Sequence, residues 1–333
     1  MHDAPRLKPC AVPPGGRVAI IAPASPFPRD EFESGVAEVR SLGFEPVIDP
    51  GIFDRRRYLA GDAVARARAL MAAWQDPGIA AILTARGGYG SVELLPYLSI
   101  ETLRRSPKLL VGYSDVTALL SFLTTRCRVT AVHGPTVTGG LGGGPAGYDR
   151  ASFLGALTTA SPAGAIPAPG LDIILPGEAE GPVLGGNLTQ LAASMGTPYA
   201  FDPPDGCVLF LEDVNERPYR IDRLLTQLRQ CGVLQRARAL VFGEFPGCDE
   251  PDGTITAREV VVDAVRDFAV PVLWKLPVGH TSGPAATLPL GVCVRVVSEP
   301  QPAVIVLESA VVGEPRAPSP ESRVPSPIRV RRP

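Results

Sequence analysis

The stretch Lys108-Leu109-Leu110-Val111-Gly112-Tyr113-Ser114-Asp115 decides the fold. Its apolar run is the length of one buried strand and ends in a serine, with a glycine two positions earlier. Val116-Thr117-Ala118-Leu119-Leu120-Ser121-Phe122-Leu123 then continues with helical periodicity. A strand feeding directly into a helix leaves room only for a tight turn, whose side chain points outward beside free helix amides. Hydrolases present a serine nucleophile in this way. A helix N-cap would use Ser114 equally well, and Asp115-Val116 departs from the G-x-S-x-G pattern.

Working outward, Arg17-Val18-Ala19-Ile20-Ile21-Ala22 reads as a doubly buried strand, and Asp30 to Leu42 carries helical spacing that stops at Gly43. Phe44 to Ile48 is a second strand, Ala60 to Trp74 a second helix, Ile79 to Thr84 a third strand, and Val92 to Leu98 a further helical stretch. Strands alternating with helices imply right-handed crossovers and a parallel sheet. The expected fold is therefore α/β: an N-terminal doubly wound parallel-sheet domain over 1-140, with functional loops at the carboxyl ends of its strands. Gly, Ala, Pro and Thr then dominate, which suggests an interdomain linker over 141-177. Short apolar runs such as Cys207 to Leu211 and Ala239 to Phe242, separated by helices from Tyr219 to Gln230 and Arg258 to Phe268, suggest a smaller β-rich α+β domain over 178-310. Val292 to Val297 and Ala303 to Leu307 read as a closing strand pair. Residues 311-333 are Pro, Ser and Arg rich and are expected to be disordered.

Length and composition narrow the function. With 333 residues, 45% of them hydrophobic and 20% charged, the chain suits two folded domains. A net charge of -2, from 32 basic and 34 acidic residues, offers no footprint for nucleic acid. No run is long enough to span a bilayer, and the N-terminus lacks a signal-peptide core, so a cytoplasmic protein without a membrane partner is expected. Cys10, Cys127, Cys207, Cys231, Cys248 and Cys293 form no C-x-x-C pair, and several sit in apolar runs as reduced, small hydrophobes would. His2, His133 and His280 are too scattered for a local metal motif, so neither metal nor cofactor is expected.

A serine hydroxyl needs a base, and a neutral imidazole needs a partner to hold its tautomer. His280, in a glycine-flanked loop after an apolar strand, is favoured over His133, at the strand end Val132-His133-Gly134-Pro135, although either could instead be a hydrogen-bonded structural histidine. Glu212 closes the run Cys207 to Leu211, where a carboxylate is costly without a partner, while Asp213 and Glu216 are placed to cap the next helix. The order Ser114, Glu212, His280 permits a triad without establishing one. The glycines of Arg86-Gly87-Gly88-Tyr89-Gly90 and the amide of Asp115 offer oxyanion donors. A phosphate cradle is the competing use of such glycines, but Pro23-Ala24-Ser25-Pro26 follows the first strand in place of a G-x-G-x-x-G turn, and no P-loop lysine is present.

Several blocks then stand out together: Ala85 to Gly90, Val111 to Asp115, His133-Gly134-Pro135, Leu184 to Leu188, Leu211-Glu212-Asp213, Tyr219 to Arg223, and Gly279-His280 followed by Leu288-Pro289-Leu290-Gly291. From about Arg17 to about Leu307 the chain resembles the LD-carboxypeptidase family of serine peptidases, whose best-known members are muramoyltetrapeptide carboxypeptidases. The resemblance implies Ser114 as nucleophile, Glu212 as carboxylate and His280 as base, with His133 outside the triad. It places Gly88 and Asp115 at the oxyanion hole, and Tyr89 and Asn187 on the substrate. It further implies a homodimer acting on a small peptide, the cytoplasmic murein tetrapeptide, from which D-alanine is released in peptidoglycan recycling. Thr281-Ser282-Gly283-Pro284-Ala285-Ala286 stands where the family often has a more polar loop. A microcin C self-immunity type peptidase, cleaving peptidyl-nucleotides, and a non-catalytic small-ligand-binding protein are the alternatives. For a carboxypeptidase, Arg86, Arg217 and Arg220 are candidates by charge alone to receive the substrate's free carboxylate, but each is read first as a structural ion-pair former and none is assigned to the site.

Overall fold

The computed structural model describes residues 6–313, so most of the expected tail over 311-333, and His2, lie outside the described residues. The chain opens with β1 (Arg17–Ile21), α1 (Arg29–Ser41), β2 (Glu45–Ile48), α2 (Ala63–Gln75), β3 (Ala81–Thr84), α3 (Ile100–Arg105), β4 (Leu109–Gly112), α4 (Thr117–Ser121) and β5 (Ala131–His133). The strands β1 to β5 pair in parallel, in the spatial order 5-4-3-1-2. That is a doubly wound order, and its switch point falls between β1 and β3. The loops leaving those two strands carry Ser25 and Gly87, Gly88 and Gly90, so the glycine cluster of the sequence falls at the switch point.

Helix ends follow local chemistry. Asp62 accepts from the Ala65 amide at 2.9 Å, which starts α2 at Ala63, three residues beyond the Ala60 expected from periodicity. Val92 to Leu98, expected as helix, is a 3₁₀ segment over Ser91–Tyr97 containing Pro96. After α4 the helix widens to a π-turn over Phe122–Cys127, where the Thr124 and Thr125 hydroxyls bond back to the Leu120 and Ser121 carbonyls at 2.8 and 2.7 Å.

The stretch 141-177, read from composition as a linker, contains regular structure: α5 (Arg150–Thr158), β6 (Gly164–Ala165) and β7 (Asp172–Leu175). Asp149 caps α5 by accepting from the Ser152 amide at 2.7 Å, a signal hidden among the surrounding glycines and prolines. Then follow β8 (Glu178–Asn187), α6 (Leu188–Ser194), β9 (Cys207–Glu212), α7 (Pro218–Gln230), β10 (Ala237–Phe242), α8 (Ala257–Val265), β11 (Val272–Trp274), β12 (Leu288–Leu290), β13 (Cys293–Val297) and β14 (Ala303–Val306). The second sheet has the order 6-14-13-8-9-10-11-7, parallel from β8 to β11 and antiparallel at its flanks. β13 and β14 are the expected closing pair. β12 instead crosses to the first sheet and pairs antiparallel with β5, Leu288 opposite His133.

Strand alternation in β9 positions the site. Val208 and Phe210 face one way, into a core shared with the first sheet, while Cys207, Leu209 and Leu211 face the other, under α6, α7 and α8. Continuing that period, Glu212 falls on the face turned toward the first sheet. The architecture is thus two mixed sheets with helices, meeting across one face.

Candidate active site

Ser114 stands at the turn between β4 and the 3₁₀ segment Ser114–Val116, as the run Lys108 to Asp115 implied. Its φ is +62°, in the left-handed region that costs a non-glycine residue about 1–2 kcal/mol. A serine held there by its surroundings is the geometry of a presented nucleophile. Gly87 lies against it, and a Cβ on Gly87 would approach the Ser114 Cβ to 2.9 Å, so only a bare backbone fits beside the hydroxyl-bearing carbon.

The glycine loop is held on both sides. Ser25 donates its amide to the Gly87 carbonyl at 3.2 Å and accepts from the Tyr89 amide at 3.0 Å. On the other side, the buried Asp115 carboxylate accepts from the amides of Gly90, at 3.2 Å, and Ser91, at 2.8 Å. Sequence reading weighed only the Asp115 amide; its side chain ties the nucleophile turn to the loop carrying Gly88. Burial raises the Asp115 pKa, and the Ser91 and Gly90 bonds oppose that rise.

Glu212 and His280 meet directly. Nδ1 of His280 lies 2.6 Å from Glu212 Oε2, and the His280 amide donates to the same oxygen at 3.1 Å. Glu212 is wholly buried, whereas the His280 side chain keeps 17% of its exposure, so its ring is not sealed from solvent. Gly279, at φ +84°, permits the approach: a Cβ there would lie 2.8 Å from the Glu212 Cδ. The Tyr113 ring meets the His280 ring edge-on, centroids 4.9 Å apart, which brings the imidazole to the residue adjoining Ser114. Glu212 and His280 are thus in direct contact, and His280 packs against Tyr113, the residue before Ser114.

Electrostatics polarise the pair. Burial would raise the Glu212 pKa, but the hydrogen bond and charge of His280, then His133, outweigh it and hold the carboxyl below its ordinary value. For His280, burial would lower the pKa, while the bond to Glu212 and the charges of Glu212 and Asp213 leave it raised. An ionised carboxylate only accepts, so a neutral His280 carries its proton on Nδ1 and offers Nε2 as a base.

Thr117 and Asn187 seam the lobes together: the Asn187 amide donates to the Thr117 hydroxyl at 3.0 Å. The Asn187 side chain caps α6 through the Gln190 amide at 3.1 Å and donates to Asp213 at 3.1 Å, so both its polar atoms serve the protein itself. Asp213 does not cap the following helix. It takes the Thr189 amide and hydroxyl at 2.9 and 2.7 Å, fixing the start of α6 instead. Glu216 pairs with Arg220 at 3.4 Å, and Arg217 with Glu250 at 3.0 Å. Arg86 donates to the Pro26 carbonyl at 3.3 Å, and its charge reaches the Tyr113 phenol, where it opposes the rise that burial and Glu212 impose. Tyr89 is half exposed beside this loop and touches Tyr58 edge-on at 5.8 Å. Beyond His280, the Ser282 amide and hydroxyl bond Glu244 at 2.9 and 2.6 Å, a tether that periodicity could not reveal.

His133 lies inside β5, opposite Gly112 of β4, with no exposure. Burial first, then the His280 charge, lower its pKa to about 4 against the pull of Glu212, so it is neutral near pH 7. Cys127, Cys207 and Cys248 are buried with their thiols pushed up to about 12, as inert small hydrophobes are. Among the described residues, no cluster of three or more His, Cys, Asp or Glu side chains is arranged to hold a metal ion, and no helix is long and apolar enough to cross a membrane.

Comparison with known proteins finds similarity over both halves of the chain. The LD-carboxypeptidase N-terminal domain profile matches residues 18–134, and the LD-carboxypeptidase C-terminal domain profile matches residues 180–296. The murein tetrapeptide carboxypeptidase of Pseudomonas aeruginosa is 35% identical over 278 residues, covering 80% of this chain and 89% of the relative. The crystal structure of muramoyltetrapeptide carboxypeptidase from Oxalobacter formigenes superimposes with a TM-score of 0.77 at 28% identity, covering 89% of this chain and all of that one (100%). The microcin C7 self-immunity protein of Escherichia coli is 28% identical over 81% of this chain and 86% of its own length. A solved structure of that self-immunity protein shares the fold at a TM-score of 0.84, with 23% identity over 92% of this chain and 99% of that chain.

Proposed function

Because the chain belongs to the LD-carboxypeptidase family and is a serine carboxypeptidase, we propose that it releases the terminal D-alanine from murein tetrapeptide in the cytoplasm, as a homodimer serving peptidoglycan recycling. The observation that carries this reading is the 2.6 Å bond between His280 and a buried, ionised Glu212 beside the strained Ser114 turn. Ser114 Oγ attacks the carbonyl carbon preceding D-alanine and passes its proton to Nε2 of His280. Glu212 stabilises the imidazolium that forms. The developing oxyanion takes the Gly88 and Asp115 amides. Collapse of the tetrahedral intermediate breaks the C–N bond, and His280 returns the proton to the departing amine. A water, deprotonated by His280, then cleaves the acyl ester and restores Ser114.

A carboxypeptidase must also recognise a free carboxylate. Arg217 and Arg220 are engaged with Glu250 and Glu216, whereas Arg86 adjoins Gly87 and makes no ion pair among the described residues. We assign the carboxylate to Arg86, whose guanidinium suits a two-pronged partner. Tyr89 flanks the same cleft, and Asn187 shapes it through α6.

A serine-directed fluorophosphonate tests the chemistry: labelling of the wild type, absent in Ser114→Ala, is expected, and an unlabelled wild type leaves only a binding protein. The likeness to the microcin C7 self-immunity protein supports a second reading, cleavage of a peptidyl-nucleotide. Trp74 and Trp274 are buried, the first bonded to the Leu103 carbonyl and the second stacked on Phe245 at 5.2 Å, so neither is placed to stack on a nucleobase. Incubation with both substrates decides; nucleoside release without D-alanine release would overturn the first choice.

A further inference from the structure

Glu212 has two oxygens, and the peptidase reading uses one. Oε2 takes both bonds from His280, while Oε1 is buried without a hydrogen-bond partner. Facing it, 3.9 Å away, is Nε2 of His133, and both ring nitrogens of His133 are likewise buried without partners. Buried polar atoms left unpaired are destabilising, so such a cluster calls for an explanation. A phenyl or isobutyl side chain would satisfy a purely structural requirement at this position, since the ring is walled by Phe210, edge-on at 5.3 Å, and by Tyr113 at 6.1 Å.

The backbone fixes this imidazole firmly. His133 is paired on one side with Gly112, two residues before Ser114, and on the other with Leu288 of β12. The ring therefore moves with the strand that presents the nucleophile, and Glu212 comes to it from the second sheet. The charged and titratable groups around Glu212 are His280, Tyr113, Asp213 and His133, and of these His133 is the one facing Oε1. A neutral imidazole protonated on Nε2 supplies one donor, and closing the gap to hydrogen-bond length needs a shift of about 1 Å.

We propose that His133 is a positioning residue for the reaction: it donates from Nε2 to Glu212 Oε1 as the carboxylate tightens, holding Glu212 in the orientation that His280 requires. This role rests on the assignment of Glu212 and His280 made above. The pairing with β12 closes the far side of the strand carrying His133.

The test uses the second-order rate of Ser114 labelling by a fluorophosphonate, which needs no knowledge of the substrate, together with kcat and KM on murein tetrapeptide. Gln places an amide donor near the Nε2 position, Asn places one near Nδ1, and Phe places none. His133→Phe and His133→Asn are expected to slow labelling and lower kcat by about 10-fold to 100-fold with KM unchanged, the loss of one hydrogen bond to a charged group. His133→Gln is expected to stay within about threefold of wild type. Equal rates in all three variants would overturn the proposal, as would a Gln variant as slow as Asn while melting at the wild-type temperature. If the Phe variant fails to fold, the Gln and Asn pair carries the decision. A wild type that does not label at all overturns the peptidase reading along with this one, whereas normal labelling in every variant overturns this one alone.

Discussion

Two imidazoles face the same carboxylate from different lobes, and the fold sets them to opposite protonation behaviour. His280 sits on a loop after β11, partly exposed, 2.6 Å from Glu212, and its pKa is raised. His133 sits inside β5, fully buried, 3.9 Å from the same residue, and its pKa falls to about 4. Both lose solvent, and both feel the same negative charge. The short hydrogen bond decides the first case, and desolvation without such a bond decides the second. Proximity to a carboxylate is therefore insufficient to raise an imidazole's pKa; a short hydrogen bond to it is also needed.

That contrast can be broken at the carboxylate itself. Glu212→Gln keeps the shape and removes the charge, so kcat is expected to fall by roughly three to four orders of magnitude, as when a triad acid becomes an amide. The pH dependence of kcat/KM sharpens the point. A base must be neutral to act, so with its pKa raised the wild-type activity should climb with pH through a midpoint above the ordinary imidazole value of about 6.5. Residual activity of Glu212→Gln should show that midpoint displaced downward; an unmoved midpoint would mean Glu212 does not govern His280.

Gly279→Ala attacks the approach of the two groups. A methyl 2.8 Å from the Glu212 Cδ, at φ +84°, must push the pair apart. A loss of about 10-fold to 100-fold in kcat and of about 1–3 kcal/mol in stability, read by steady-state kinetics and denaturant unfolding, is expected. A smaller effect belongs to Arg86→Gln, which leaves the histidines untouched. KM should rise about 10-fold with kcat nearly unchanged, and the variant should lose its preference for a free C-terminus over an amidated one. The smallest effect concerns His133 alone. Its folded pKa lies below its unfolded one, so the unfolded chain takes up a proton that the folded chain refuses, and stability is lost as pH falls from about 6.5 toward 4. The melting temperature of His133→Gln should decline less than that of wild type across this window, by a few degrees.

The contrast also marks what the amino-acid sequence discloses. The first sheet was legible because β1, β3 and β4 are uniformly apolar runs separated by helical periods, and those local signals agree with their tertiary placement. Ser114 was legible for the same reason, as was Glu212, since a carboxylate ending an apolar run needs a partner. The choice between His280 and His133 was open on residues alone, because both stand at strand ends and nothing local reports which ring edge meets the cleft. β12 has three residues and no period to read, and its partner β5 lies more than 150 positions earlier. α5 was missed because its Asp149 cap is embedded in residues that usually mark loops. The side-chain duties of Asp115 and Asp213 depend on elements distant in the chain, which spacing does not encode.

The most direct test is to incubate the protein with murein tetrapeptide and quantify free D-alanine and tripeptide by chromatography. The wild type is expected to yield the two in equal amounts, and Ser114→Ala to yield neither above background. Tripeptide formation by Ser114→Ala at the wild-type rate would contradict the account.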